Sequence, residues 1–253
     1  KAGNGAIIVS TKKGEAGQKF TIGVNSSYTS EKVAYMPKFQ SEYGVGWEGQ
    51  YIPYENCNWG PRFDGLIRQI GPTFEDGTYQ EVPYAPVANN LRDFYDVGHN
   101  LSNTVYMSGS GQGSSFYLSI GQQGNKGIVP KDVYSRNTFR VNATKKIGDV
   151  ELAVNSSFFT DKTDVVGDEL GTQNRPLYWF ILNTPNNIPL SNYRDWENDL
   201  YSSPNGYYNA YYENPYVMID QARNQDRTSR LNANVSLSWD ISDWLNFTGR
   251  ASV

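Results

Sequence analysis

The sequence predicts an all-β fold, part of a transmembrane, antiparallel β-barrel with long extracellular loops. Apolar and polar residues alternate with a period of two in seven separate segments, so each predicted strand has one apolar and one polar face. The connections between these segments follow the order long, tight, moderate, tight, long, tight. In an up-and-down meander alternate connections lie at the same end, which places all tight turns on one rim and the extended loops on the other. This asymmetry is typical of outer-membrane barrels.

The central part of the chain is a predicted β-meander. Its first two strands turn through Gly111-Gln112-Gly113, and its last two turn through Gly148-Asp149. Glycine and aspartate at such positions are typical of hairpin turns. The four predicted strands are Asn100–Gly111, Ser114–Gly124, Val133–Ile147 and Val150–Thr160.

Strands are also predicted on either side of this meander. Phe20–Thr29 alternates before it, and Leu231–Trp239 and Leu245–Ala251 alternate after it, joined by a tight turn at Ser242-Asp243. Near the start of the chain, Asn4–Gly14 contains four consecutive apolar residues, which predict a short strand buried on both faces.

Two long stretches, Ser30–His99 and Asp161–Asp226, lose the alternation. Both are rich in aromatic residues, and the first also contains many glycines and prolines. Disordered linkers are poor in aromatic residues, so we expect two ordered, functional loops.

Composition limits the possible classes of protein. The mean hydropathy is -0.61, and the longest apolar runs are far shorter than the ~20 residues of a transmembrane helix. A net charge of -4 argues against nucleic-acid binding. The lone Cys57 cannot form an internal disulfide. The chain starts without an initiator Met or signal peptide and stops in mid-alternation, which suggests a segment of a longer protein.

A barrel also explains the two faces of each strand, since the apolar side would meet lipid and the Asn/Ser/Thr/Arg side would line a polar lumen. Tyr28, Trp239 and Trp244 lie near strand ends, where aromatic girdles form at membrane interfaces. The alternative at this stage is a soluble β-sandwich, whose strands also alternate.

Four short motifs occur along the chain: Asn4–Gly14, Trp59-Gly60-Pro61-Arg62-Phe63-Asp64-Gly65, Gly127-Ile128-Val129-Pro130 and Glu213-Asn214-Pro215-Tyr216. Together, and in this order, they resemble motifs of SusC/RagA-type TonB-dependent transporters, and the first resembles the end of the plug domain. The resemblance implies that residues 1–17 close the plug and that residues 18–253 form the first strands and loops of a plugged barrel of about 22 strands. Most of the plug and of the barrel is missing from the sequence.

The same resemblance implies the function. A surface lipoprotein of the SusD type would capture an oligosaccharide or a peptide, and a TonB complex acting on the plug would drive import across the outer membrane of a Gram-negative bacterium. It implies no catalysis, no cofactor and no metal. The alternatives are a secreted β-sandwich that binds or cleaves glycans, and a passive adhesin barrel, which would lack a plug.

The candidate substrate contacts are residues of the long loops. Aromatic side chains offer flat faces to sugar rings or to peptide side chains, although they could instead pack the loops or contact the lipoprotein. Arg62 and Asp64 could bind a ligand or hold the turn between Gly60 and Gly65. The candidate residues are Trp47, Trp59, Arg62, Asp64, Tyr79, Trp179 and Trp196.

An acidic group, formed by Asp161, Asp164, Asp168 and Glu169, lies at the foot of the second loop. Paired carboxylates can hydrolyse glycosides or bind calcium. The spacing does not fit a calcium loop, so we expect a solvated charged loop instead.

Overall fold

The computed structural model describes residues 20–167 and 174–253. The predicted strand Asn4–Gly14, the predicted plug segment 1–17, and Asp168 and Glu169 of the acidic group lie outside these residues. None of the described helices is long and apolar enough to cross a membrane.

Strands dominate the described residues. The strands are β1 (Thr21–Glu31), β2 (Ile67–Thr73), β3 (Tyr79–Pro83), β4 (Gly98–Gly111), β5 (Ser114–Lys126), β6 (Val133–Ile147), β7 (Val150–Val166), β8 (Arg223–Ser242) and β9 (Leu245–Ser252). The α-helices are α1 (Leu177–Leu182) and α2 (Pro215–Gln221), and two 3-10 helices cover Leu190–Arg194 and Leu200–Ser202.

Seven strands form one antiparallel sheet in the order β1-β4-β5-β6-β7-β8-β9. We call this sheet the wall. All seven alternating segments are therefore strands, as predicted, and they are neighbours in chain order. A single sheet also removes the β-sandwich alternative, which needs two sheets packed face to face.

Several wall strands are longer than their alternation suggested. β7 continues to Val166 and β8 begins at Arg223, so the second loop is shorter than the predicted Asp161–Asp226. The extensions carry polar residues on both faces, so the alternation of apolar and polar residues that predicts a strand is absent there.

The strand register puts most of the large aliphatic and Phe side chains on one face of the wall. One row of neighbouring residues across six strands is apolar, and the row next to it, on the opposite face, is mainly polar. The apolar row is Val24, Val105, Ile120, Phe139, Phe158 and Leu231. The other row is Gly23, Tyr106, Ser119, Arg140, Ser157 and Asn232. All six apolar side chains are exposed, as expected for a surface that faces lipid.

The apolar residues form a band that crosses the register obliquely. On β1 and the residue before it, the band runs from Phe20 to Tyr28, on both sides of the row of Val24, whereas on β8 it runs only from Leu231, in that same row, toward Ile241 at the turn rim. Strands tilted against the membrane normal produce this slant. Ten residues at ~3.3 Å each, tilted by ~40°, give a height of about 25 Å, which matches the apolar band of outer-membrane barrels.

The tight turns join β4 to β5, β6 to β7, and β8 to β9, and all lie on one rim. The first uses Gln112 and Gly113 with φ of 47° and 70°, the left-handed values that a two-residue hairpin turn requires. Trp239 and Trp244 lie at this rim and Tyr28 near the opposite one, and all three are exposed. The positions of the three residues agree with the predicted aromatic girdles.

The two long loops fold together into one body at the other rim, which we call the cap. The first loop contains the hairpin β2–β3, which the sequence did not predict. Its strands are short, and the register shifts between Ile70 and Thr73, so no regular alternation marks them. Both loops contribute to one hydrophobic core, whose largest fully buried side chains include Tyr84 and Phe94 from the first loop and Tyr193 and Tyr208 from the second.

Hydrogen bonds fix the two loops to each other. The backbone N–H of Val45 donates to Asn187 Oδ1 at 2.8 Å. Asn90 donates to the Ile188 carbonyl at 2.6 Å and accepts from the Leu190 N–H at 2.9 Å. Asn90 and Asn187 are both buried, so these amides satisfy backbone groups that water does not reach.

Arg223 ties the cap to the wall. Its guanidinium group donates to Asp164 Oδ1 at 2.7 Å and to Asp132 Oδ1 at 3.1 Å, and also to the carbonyls of Lys131, Ile219 and Asp164. The expectation of a solvated loop is therefore wrong for Asp161 and Asp164, which lie within β7. Because Arg223 is largely buried, the Asp164 carboxylate serves to neutralise its charge and hold it in place.

Candidate functional site: an aromatic groove in the cap

A groove of about 270 Å³ opens where the first loop meets the end of α1. We call it the aromatic groove. Its lining combines three aromatic rings with several side-chain amides. The residues that define it are Phe39, Gln40, Tyr43, Asn56, Asn58, Trp59, Leu182 and Asn183.

A tight backbone crossing presents Trp59 to the groove. The Trp59 N–H donates to the Gly46 carbonyl at 3.1 Å, and the Gly49 N–H donates to the Trp59 carbonyl at 2.8 Å. Gly46 has φ of 138°, and a Cβ there would lie 2.0 Å from the Gln50 carbonyl oxygen. Because the backbone is held on both sides, the Trp59 ring, 67% exposed, has a fixed base from which to meet a ligand.

The opposite side of the groove comes from the end of α1. The Asn183 N–H and its side-chain amide both donate to the Trp179 carbonyl, at 3.1 and 2.8 Å. Further along, the Asn186 N–H donates to Asn58 Oδ1 at 2.7 Å. Asn58 therefore joins the two sides of the groove.

The groove is electrically neutral at its surface. The charged groups beside it are Glu55 and the ion pair of Arg62 with Glu42, 2.7 Å apart. The Arg62 guanidinium lies 5.9 Å from the centroid of the Tyr43 ring, and Glu55 acts on the lining residue Cys57. Aromatic faces with amide donors and acceptors suit an uncharged ligand that has both apolar and hydrogen-bonding surfaces.

The groove contains one thiol, that of Cys57. Burial, together with the charge of Glu55, raises the pKa of the Cys57 thiol, which keeps it protonated and a poor nucleophile. Cys57 Sγ donates to the Gly46 carbonyl at 3.3 Å. Within residues 20–167 and 174–253, no group of three or more His, Cys, Asp or Glu side chains could hold a metal ion.

Comparisons with known proteins agree with this architecture. The chain is 24% identical over 164 residues to the TonB-dependent receptor SusC of Bacteroides thetaiotaomicron, a match that covers 64% of this chain and 14% of that protein. It superposes on the RagAB peptide importer in its open-open state with a TM-score of 0.64 and in its closed-closed state with 0.55, at 16% identity, covering 96% of this chain and 28% of the importer chain.

The chain is similar to receptors and importers of the SusC/RagA type. No family model matches it. The matches confirm the predicted fold class and agree with the predicted family and outer-membrane location. The chain spans only 14% of the length of the curated receptor and 28% of the importer chain.

Three of the predicted site residues lie at or beside the aromatic groove. Trp59 lines it. Arg62 pairs with Tyr43 in an isolated β-bridge, and Trp47 belongs to the turn that Trp59 crosses, with its N–H donating to the Gln50 carbonyl at 3.1 Å.

Two other predicted residues have structural contacts in the cap. Asp64 accepts the Leu66 N–H at 3.0 Å and pairs with Arg68. The Leu66 hydrogen bond, with help from Arg68, lowers the pKa of the Asp64 carboxyl. Trp196 donates from Nε1 to Asp220 at 2.8 Å and packs against the hydrophobic core. Asp64 therefore holds its turn, and Trp196 helps to hold α2.

Trp179 and Tyr79 lie outside the groove lining. The Arg175 guanidinium covers the Trp179 ring at 5.0 Å from its centroid, one helical turn before Asn183. The Tyr79 carbonyl accepts from the Tyr201 hydroxyl at 3.1 Å.

Sequence reasoning missed Phe39, Asn58 and Asn183 as groove residues. Nothing in the sequence shows that Asn183 lies beside Asn58, since 124 positions separate them in the numbering. The sequence offered one local indication for Asn58, because this residue directly precedes the motif Trp59–Gly65 that carries the resemblance.

Proposed function

We propose that the chain forms part of a TonB-dependent importer of the bacterial outer membrane, and that the aromatic groove contacts the imported nutrient. One observation carries the proposal: a neutral groove of aromatic and amide side chains lies in a cap on the loop rim of the wall. In this scheme residues 18–253 supply wall and cap, and residues 1–17 end the plug. The matched relatives are named as a receptor and an importer, and the protein is not an enzyme.

We propose an oligosaccharide as the nutrient. Exposed aromatic rings such as those of Trp59 and Tyr43 can stack on the apolar faces of sugar rings, while Asn56 and Gln40 can bond the hydroxyls. A peptide is the second candidate, because the matched importer structures are described as those of a peptide importer and because amides bond a peptide backbone equally well.

We also propose that a SusD-like surface lipoprotein covers the cap and that a TonB complex acts through the plug. Large apolar side chains exposed on the cap support a protein partner, since such side chains are enriched at interfaces. They include Tyr54, Leu66 and Ile67. The plug segment lies outside the described residues, so the TonB complex follows from the resemblance.

The test is ligand binding by the full-length receptor in detergent, measured by calorimetry with panels of neutral oligosaccharides and of peptides. We expect Trp59→Ala to weaken binding by about tenfold, or ~1.4 kcal/mol. The matched control is Trp244→Ala, which removes the same side chain at the opposite rim and should leave affinity unchanged. Equal loss in both variants, or none in either, would reject the groove as the contact site.

A further inference from the structure

A pair of like charges lies on the lipid side of the wall. Lys162 on β7 and Arg227 on β8 are directly opposed in the register, and both side chains are exposed. Opposed residues on one face have Cβ atoms about 4.5–5.5 Å apart, and like charges at that distance destabilise a sheet. An anion between the two side chains would remove this cost.

The register fixes the direction in which this pair points. Lys162 lies four residues beyond Phe158 along β7, and Arg227 lies four residues before Leu231 on β8, so all four share the apolar face. The acids Asp161 and Asp226 occupy alternate positions and point to the opposite, lumen face. Alternation therefore places Lys162 and Arg227 on the opposite face from Asp161 and Asp226.

No acid of the wall neutralises the pair. In the part of the chain that the structure describes, neither Lys162 nor Arg227 forms an ion pair. Asp164, the nearest acid on the same face, has one carboxylate oxygen bonded to Arg223 at 2.7 Å and the other to Gln225 at 2.9 Å. Lys162 attracts Asp164 electrostatically, but the two do not form an ion pair.

The height of the pair matches that of lipid phosphates. Four residues of tilted strand place Lys162 and Arg227 about 10 Å above Phe158 and Leu231, where the apolar band ends. Headgroups begin at that level, and the long side chains can reach down to them. Hydroxyl groups of Thr160 and Ser229, which are opposed in the row below, add hydrogen-bond donors that suit phosphate oxygens.

We propose that Lys162 and Arg227 bind a phosphate group of an anionic lipid in the outer leaflet. The inference rests on the proposed function in one respect, that the apolar face of the wall meets a membrane. The recognition itself is charge-assisted hydrogen bonding, with Arg227 able to bind two phosphate oxygens at once. Lys126, also exposed on this face and two strands away, extends the basic surface toward β5.

The test is native mass spectrometry of the full-length receptor incubated with diphosphorylated lipid A. We expect the double variant Lys162→Gln/Arg227→Gln to retain at least about tenfold less lipid A than the unmodified receptor. The matched control, Arg140→Gln/Arg230→Gln, removes two cations from the lumen face and should retain lipid A normally. Equal loss in both variants would overturn the proposal, as would equal binding of fully dephosphorylated lipid A by the unmodified receptor.

Two further measurements separate the possible failures. Inorganic phosphate in tenfold excess should not displace lipid A, and displacement would reject a lipid as the ligand. In lipid-free detergent, the Lys162→Gln/Arg227→Gln variant should melt at the same or a higher temperature, because the repulsion is gone; a lower melting temperature would contradict the cost assigned to the pair. A receptor that does not enter liposomes contradicts the proposed function, whereas one that enters them but shows no lipid A difference contradicts this inference alone.

Discussion

Gly71 shows how closely the two loops of the cap approach each other. It has φ of +70°, and a Cβ there would lie 2.8 Å from the Tyr208 Cα, in the other loop. Gly77, with φ of +83°, has nothing within 4 Å of the same position. Both glycines therefore have a left-handed backbone. Only Gly71 also lacks the space for a side chain.

Alanine substitution at these two sites should separate the two requirements. We expect Gly77→Ala to destabilise the full-length receptor by about 1 kcal/mol, the cost of the left-handed backbone alone. Gly71→Ala should cost at least about twice as much, because backbone atoms of Tyr208 must also move. Thermal unfolding with protease digestion of the cap measures both, and equal costs would show that the loops tolerate separation at Gly71.

Arg223 gives a prediction that depends on pH. Burial raises the pKa of the Asp132 carboxyl above its ordinary value, while Arg223 acts in the opposite direction. A carboxyl with a raised pKa in the fold contributes stability below its unfolded pKa and loses that contribution as pH rises through the folded pKa. Replacing Arg223 removes the positive charge that opposes the pKa rise of Asp132, so the stability lost as the pH rises becomes larger.

We therefore expect Arg223→Gln to cost about 3 kcal/mol at neutral pH, the scale of an unpaired buried charge. The defect should shrink as the pH falls from neutral and Asp132 becomes protonated. Adding Asp132→Asn to the variant should remove the part of this pH dependence that comes from Asp132 and leave the part that comes from Asp164, whose pKa Arg223 lowers. Melting temperatures of the purified receptor across this range test the prediction, and a defect that does not change with pH would contradict it.

At the scale of the element, β8 shows that the two faces of one strand meet different surroundings. Val235 lies within the apolar band, and its neighbour Asn234 points to the lumen. Arginine on the lipid face near the middle of a bilayer costs about 2–4 kcal/mol, whereas lumen positions tolerate polar residues.

Val235→Arg should therefore impair folding of the receptor into liposomes by that amount. Asn234→Arg, one residue away with the same side chain introduced, should have little effect. Heat-modifiable migration in gels reports the folded fraction. If the two variants fold equally well, the assignment of the faces is wrong.

The same alternation explains which elements could be predicted from the sequence. The seven wall strands carry a period of two because lipid and lumen impose opposite demands on successive residues. β2 and β3 carry no such signal, since they lie in a cap with a mixed core and a register shift beside Gly71. The ends of β7 and β8 escaped prediction because the wall there rises above the apolar band and both faces are polar.

At the scale of the whole molecule, the cap depends on contacts between two distant loops. Asn187 is buried, and its Oδ1 atom accepts the Val45 N–H at 2.8 Å. The groove has the same origin, since Trp59 and Asn183 come from different loops. The aromatic residues of the groove could be predicted as candidates from the composition of the loops. The amide residues opposite them could not, because their position depends on how the two loops pack together. Trp196, also predicted as a ligand contact, shows in the structure a hydrogen bond to Asp220 and packing against the core.

Because the loops share one core, disruption in one should be felt in the other. We expect Asn187→Ala to cost about 1–3 kcal/mol, since the Val45 N–H loses its buried acceptor. Hydrogen exchange should then accelerate in both loops together, while the amides of β5 and β6 stay protected. Asn209→Ala, which affects bonds to Tyr211 and Tyr212 within the second loop, is the control. Faster exchange confined to the second loop in Asn187→Ala would show that the loops open independently.

The composite origin of the cap also has a consequence for the order of folding. Hairpins of the wall join residues that are near in sequence and can form early, whereas Val45 must wait for Asn187, 142 residues later. Contacts with such a large sequence separation form slowly, because a long loop must close first. We therefore expect the groove to be completed after the hairpins of β4 to β7 have formed, so that a half-folded wall would present no complete groove to a nutrient.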